Sequence, residues 1–196
     1  VDGNDVKTVA GCGKEGWVDG SARGARFYRP CSIVVLKGVI YVASDRCKAI
    51  RRIKSDGSVS TIGTAPMAGK FVIPDCSGIG SLCASDTAVY LCYMNQTPVI
   101  AKIEPKKAHS DPIVTKKIRD FSCVAFDRST ESILVADRAS RCIWSLDPNN
   151  PTAPVPIVAP AKRYEMCADL EDPTVVHLTR SGDLWWSNYN SSYAYC

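Results

Sequence analysis

The sequence predicts an all-β fold: a β-propeller of about four blades, each a four-stranded antiparallel meander, stapled by disulfides. Three observations carry that expectation. Residues 30–63 break into short runs rich in Val and Ile (CSIVVL, VIYVAS, AIRRI and SVSTIG) separated by turn residues. Cysteines followed by a short apolar run recur at Cys31, Cys76, Cys123 and Cys167, with spacings of 45, 47 and 44 residues, and a fixed period of about 45 residues is the length of one propeller blade. No stretch carries apolar residues at helical spacing, and the five prolines between Pro148 and Pro160 exclude helix there.

Taken in order, residues 6–10 (VKTVA) read as a short apolar strand that closes the ring at the far blade. A long glycine-rich loop follows. In the first unit Lys37-Gly38 supplies a two-residue hairpin, and Ser55-Asp56-Gly57 joins the last two strands. Second strands read VIYVAS, AVYLCYM, SILVAD and TVVHLTR; third strands read AIRRI, VIAKI, CIWSL and DLWWSNY. Fourth strands read SVSTIG, PIVTKKI and PVPIVAP, and none is legible in the last unit. The units fill residues 1–196 as a single domain with no linker. Apolar residues make up 45% of the chain, enough for a core, and no run approaches the ~20 apolar residues of a spanning helix. No signal-like N-terminus stands out, which suits a trimmed ectodomain and leaves room for a membrane anchor outside this chain.

The first unit resembles a known family. Gly11-Cys-Gly, Gly16, Asp19-Gly20, Ala25-Arg-Phe27 and Pro30, then residues 39–43 (VIYVA), 50–53 (IRRI) and Gly57 with residues 59–63 (VSTIG), are similar to the NHL-repeat β-propeller pattern. The resemblance covers the first 63 residues and returns over residues 133–146. Cys47-Lys48 and Ser140-Arg141 stand where the family has its Asn-His pair, so the resemblance implies the fold more than any family site. NHL propellers more often have six blades; the four units here are expected to close as a ring of four. The cysteine-rich extracellular type to which the chain is similar includes the flagellum-attachment adhesion glycoproteins of trypanosomes.

Ten cysteines without a CxxC favour disulfides over zinc. Cys31 with Cys47, and Cys123 with Cys142, flank two strands of their units and are expected to pair within blades, each worth about 3 kcal/mol in the chain-entropy model. Cys12–Cys196 would lock the two ends of the ring, with Cys167–Cys196 an equal competitor. Asn95-Gln-Thr97 and Asn190-Ser-Ser192 are glycosylation sequons. Cysteines and sequons together point to an extracellular or cell-surface setting reached through the secretory pathway.

Candidate chemistry is sparse. Zinc needs three or four convergent nitrogen or sulfur ligands, and only His109 and His177 are present as histidines. A calcium-dependent lactonase at the propeller mouth would need carboxylates; Asp45, Asp127, Asp137 and Asp169 are the candidates, and each also fits a turn-forming aspartate. No metal, no cofactor and no catalytic residue is assigned, and the chain is expected not to be an enzyme. Basic residues interleave with aromatics in the first loop, and Lys48, Arg51, Arg52 and Lys54 follow, a pattern that reads first as a solvated face and second as a polyanion site for glycan or RNA. Trp185 and Trp186 must point to opposite sides of their strand. The expected function is recognition or adhesion: loop residues Trp17, Arg23, Arg26, Phe27 and Tyr28 bind another protein, at the cell surface or outside it. An acidic glycan is the alternative partner, and no nucleic acid is expected.

Overall fold

The computed structural model describes residues 6–44, 49–63, 78–95, 97–104, 112–114, 117–158, 173–179, 181–188 and 194–195. They contain fifteen β-strands and no helix. Blade 1 comprises β1 (Pro30–Leu36), β2 (Val39–Ser44), β3 (Ala49–Ile53) and β4 (Val59–Gly63). Blade 2 comprises β5 (Gly78–Ala84), β6 (Val89–Asn95), β7 (Thr97–Ile103) and β8 (Pro112–Val114). Blade 3 comprises β9 (Phe121–Asp127), β10 (Ser132–Asp137), β11 (Cys142–Leu146) and β12 (Val155–Val158). Blade 4 shows three strands, β13 (Pro173–Leu178), β14 (Leu184–Asn188) and β15 (Ala194–Tyr195). Every sheet is an antiparallel meander in chain order, as the sequence pattern predicts.

The β1–β2 hairpin shows how turn chemistry fixes register. Lys37 and Gly38 take φ of 50° and 75°, the pair of positive values that a two-residue type I′ turn needs. Leu36 therefore pairs with Val39, and the register runs on to Ile33 opposite Val42. Leu82 opposite Leu91, Val124 opposite Val135 and Val176 opposite Trp186 are the corresponding pairs of blades 2, 3 and 4.

Blades stack through apolar faces. Leu36, Tyr41, Ala43 and Ile50 of blade 1 pack on Leu82, Leu91 and Tyr93 of blade 2. On its other face blade 2 sets Tyr90, Cys92 and Ile100 against Phe121, Val124 and Val135 of blade 3. Tyr90 and Phe126 stack across this seam with centroids 5.7 Å apart. Ala136 and Ile143 then meet Val176, Leu184 and Trp186 of blade 4.

A bulge in each innermost strand adds a polar latch to this packing. Extra residues interrupt β1 between Pro30 and Ser32, and β5 between Ile79 and Leu82, which re-aims the side chain after the bulge. The Leu82 N–H donates to Ser32 Oγ at 2.9 Å, and the Val124 N–H donates to Ser81 Oγ at 2.8 Å. In blade 3 the same place is taken by Cys123, whose thiol reaches the Val176 carbonyl at 3.8 Å. Gly80 is required by this geometry: a Cβ there would lie 2.8 Å from Cys92 Sγ and 3.0 Å from the Phe121 ring.

Four expectations change. Residues 6–10 lie in no strand, and Val6 is 99% exposed, so this segment does not close a ring. Cys31 and Cys123 are not equivalent, because the bulge register aligns Cys31 with Ser122. The Cys123–Cys142 bridge does not form. Cys123 faces Ala136 on one side of β10 and Cys142 faces Asp137 on the other, two strand spacings or about 9–10 Å apart, beyond the ~4.4–6.8 Å a disulfide spans. Both thiols are free. Finally, the described residues join blade 1 to 2, 2 to 3 and 3 to 4, while Ile33 and Val35 at one end and Val175 and Trp185 at the other stay exposed. They therefore form an open arc. Cys47, Cys76, Cys167 and Cys196 lie outside the described residues, and with them the expected Cys31–Cys47 and Cys12–Cys196 pairs.

Candidate functional site

The first loop, residues 11–29, is built onto the outer edge of blade 1. An edge strand offers unpaired backbone donors and acceptors, and the loop satisfies three of those of β4. Gly20 and Val59 exchange two backbone hydrogen bonds of 3.0 and 2.7 Å. Two residues on, the Thr61 N–H donates to Asp19 Oδ2 at 2.8 Å, so a carboxylate stands in for the next carbonyl of a fifth strand.

Arg51 holds this loop from beneath. It lies on β3 directly opposite Thr61 and is only 1% exposed. Its guanidinium donates to the Arg26 carbonyl at 2.5 Å, the Val18 carbonyl at 2.6 Å and Asp19 Oδ1 at 2.8 Å. The same group lies 4.6 Å over the Phe27 ring, a cation–π contact strengthened by burial. A buried arginine is tolerated because its two terminal nitrogens donate to the loop and its charge is paired with Asp19. Burial opposes ionisation of Asp19, but the hydrogen bonds from Thr61 and the Arg51 charge outweigh it and hold the carboxyl below its ordinary 3.8.

Thr61 closes the network on Trp17. Its hydroxyl donates to Asp19 Oδ1 at 2.9 Å and accepts the Trp17 indole N–H at 3.0 Å. The indole is thus fixed in orientation while 44% of the residue stays exposed. Arg23 and Arg26 are exposed on the same loop, whereas Phe27 and Tyr28 are half-buried. Phe27 packs beneath Arg51 and joins Ala10, Ala25, Val42 and Ile53 in a small core. Of the five predicted binding residues, Trp17, Arg23 and Arg26 present themselves to solvent, and Phe27 anchors the loop. Arg51 does not belong to a solvated face; the sequence signal for it was the pairing of Asp19-Gly20 with IRRI in one repeat.

The two candidate carboxylates among the described residues do not converge. Asp137 is fully buried and accepts from the N–H groups of Arg119, Asp120 and Ala139 and from the Ser140 hydroxyl. Asp127 caps the turn at the opposite end of the same strand pair through Ser129 and Thr130. Each is a turn staple, and the two sit at opposite ends of β9 and β10. Asp45, Asp169 and His109 lie outside the described residues, as does Asn190. Asn95 ends β6 and pairs with Thr97 across the tight connection to β7. Trp186 packs on blade 3 and Trp185 faces outward, 42% exposed.

No protein-family model and no curated protein matches the sequence. Solved structures do. The chain is similar to a structural genomics protein of unknown function from Bacteroides thetaiotaomicron, with TM-score 0.68 and 16% identity over 96% of this chain and 46% of that one. It is similar to virginiamycin B lyase from Staphylococcus aureus, solved in catalytically inactive form with quinupristin, with TM-score 0.59 and 14% identity over 84% and 50% of the two chains. It is also similar to a chain of the nidogen/laminin complex, with TM-score 0.59 and 11% identity over 81% and 56%. The likeness shows the propeller fold, and this chain spans about half the length of those structures. It also corrects one expectation. The shared fold is that of a lyase in one neighbour, so a propeller of this kind does not mark the chain as other than an enzyme.

Proposed function

We propose that the chain is an extracellular recognition module that binds the acidic surface of another protein through its first loop. The observation that carries this reading is Trp17, half-exposed yet oriented by Thr61, whose hydroxyl also bonds Asp19, the partner of buried Arg51. Binding hot spots concentrate in Trp, Tyr and Arg, and a surface already ordered before contact loses less entropy on binding. Arg23 and Arg26 add exposed positive charge on the same loop, which selects an acidic partner. The nidogen/laminin neighbour supports protein binding as a use of this fold. Ten cysteines and two sequons support the oxidising compartment, and with it the cysteine-rich NHL type, glycosylation at Asn95 and Asn190, and a role in adhesion.

The test is surface plasmon resonance of the chain against an array of purified extracellular ectodomains, with Trp17→Ala and R23E/R26E alongside. The expected result is saturable binding to an acidic ectodomain, weakened at least tenfold by either variant. Binding that both variants retain, or binding to heparin alone, would overturn the proposal.

A further inference from the structure

The turns that join the first two strands of blades 2, 3 and 4 lie on one rim, and each is braced by its own side chains. Ser85 Oγ accepts the N–H groups of Thr87 and Ala88 at 3.2 and 3.0 Å. Asp127 accepts from the N–H and hydroxyl of Ser129 and from the Thr130 hydroxyl, and Thr179 Oγ1 accepts the Asp183 N–H at 3.0 Å. Two hollows open between these turns. One, of about 230 Å³, crosses the seam of blades 2 and 3 beside the stacked Tyr90 and Phe126. The other, of about 200 Å³, lies between blades 3 and 4 beside Ser129, Leu178, Thr179 and Gly182. Phe126 and Arg128 line both, so the hollows are neighbours.

The size and walls of the first hollow define what it can take. It is smaller than the ~300–1,000 Å³ of a site for a drug-sized ligand, and its walls are mainly polar. Their charges balance: Lys102 and Arg128 stand against Asp86 and Glu131, with Arg128 already paired to Asp86 at 3.2 Å. A ligand of net charge finds no excess of the opposite sign here. Glu131 and Asn149 are exposed, and neither side chain has a partner among the described residues. Glu131 also takes φ of 53°, a region that few residues with a side chain adopt. A carboxylate accepts hydrogen bonds and an amide both donates and accepts, a set that suits hydroxyl groups. Half-buried Phe126 and Pro148 add apolar surface beside them.

We propose that this rim binds a neutral disaccharide, one sugar ring in each hollow and the glycosidic link passing over Phe126 and Arg128. In the first hollow, sugar hydroxyls donate to Glu131 and exchange hydrogen bonds with Asn149 and Lys102, while the C–H surface of the ring rests on Phe126. In the second, Ser129 and Thr179 offer hydroxyls and Leu178 offers apolar contact. Because the turns are braced beforehand, little further ordering is needed on binding. The rim shares no residue with the first loop, so this site and the recognition surface proposed above stand or fall separately.

The test is a two-dimensional amide NMR titration of the chain with maltose, cellobiose, lactose and N,N′-diacetylchitobiose. Glucose and N-acetylglucosamine serve as single-ring controls, and sodium sulfate as the charged one. The expected result is that at least one disaccharide saturably shifts the amides of Thr87, Glu131 and Asn149 at the first hollow and of Ser129 and Gly182 at the second. The single rings bind at least tenfold more weakly, and sulfate leaves these amides unmoved. Glu131→Ala and Asn149→Ala each weaken the disaccharide about fivefold, as the loss of one hydrogen bond does. Both are exposed turn residues, and unchanged β6 and β10 signals confirm that each variant folds. Failure of all four disaccharides to bind, shifts confined to one hollow or to the first loop, single rings or sulfate bound as tightly, or an affinity untouched by both substitutions would each overturn the proposal.

Discussion

The Ser81 hydroxyl accepts the Val124 N–H at 2.8 Å and so ties the innermost strand of blade 2 to that of blade 3. Ser32 makes the same bond to Leu82 one blade earlier. Ser81→Ala is therefore expected to leave a Val124 N–H buried without its acceptor, at a cost of about 1–3 kcal/mol. Urea unfolding would show it as a lower midpoint at unchanged slope.

Gly80 makes that latch possible by leaving room for the Cys92 thiol. Gly80→Ala should destabilise by about 1–3 kcal/mol through overpacking. Combined with Cys92→Ala, the loss should be smaller than the sum of the two single effects, because the obstructing sulfur is gone. Additive losses in that cycle would show that the strand shifts freely and that the bulge is not tightly packed.

Arg51→Met should free the first loop. It removes three hydrogen bonds to the loop and the contact with Phe27. The expected cost is about 3 kcal/mol, toward the low end for a broken buried pair, because the Asp19 side chain is 41% exposed and water can take over part of its solvation. The rest of blade 1 should stay folded, since its packing on blade 2 does not involve Arg51.

The same anchor sets a pH limit. The carboxyl of Asp19 in the folded chain is held below its ordinary value of 3.8, so the stabilisation is complete above that value and is lost as pH falls below it and through the folded value. Trp17 fluorescence should therefore be flat from pH 7 to about 5 and change below about pH 4. Asp19→Asn should abolish that transition, and Trp17→Phe should remove its signal.

Burial pushes the Cys92 thiol up to about 12 and raises Cys83 well above its usual range. Neither should react with iodoacetamide at pH 8 in the folded chain, because thiolate is the reacting form, while exposed Cys12 should be labelled. Full labelling after denaturation, read by mass spectrometry, completes the comparison.

Turn chemistry and alternation made much of the fold legible. Lys37-Gly38 announced its hairpin, and the opposite orientations of Trp185 and Trp186 followed from strand geometry alone. Bulges were not legible: β1 and β9 carry the same one-residue bulge, but Cys31 is the extra residue of its bulge and Cys123 the residue after it, so the two look equivalent in sequence and are not. The 123–142 spacing was misleading for a related reason, because it cannot distinguish cysteines on adjacent strands from cysteines with a strand between them. Arg51 was hidden because its partners, Val18, Asp19 and Arg26, come from a loop some 25–33 residues earlier, and a basic residue in a strand otherwise reads as solvent-facing.

Amide hydrogen exchange across the first loop and β4 tests the pinned recognition surface most directly. Slow exchange is expected at Val59, Thr61 and Gly20, whose N–H groups are bonded between loop and sheet, and at Arg26, whose N–H is bonded to Val18 within the loop, with Arg51→Met abolishing protection in the loop and leaving that of β6 and β10 intact. Exchange of the loop amides at unstructured rates in the parent chain would contradict it.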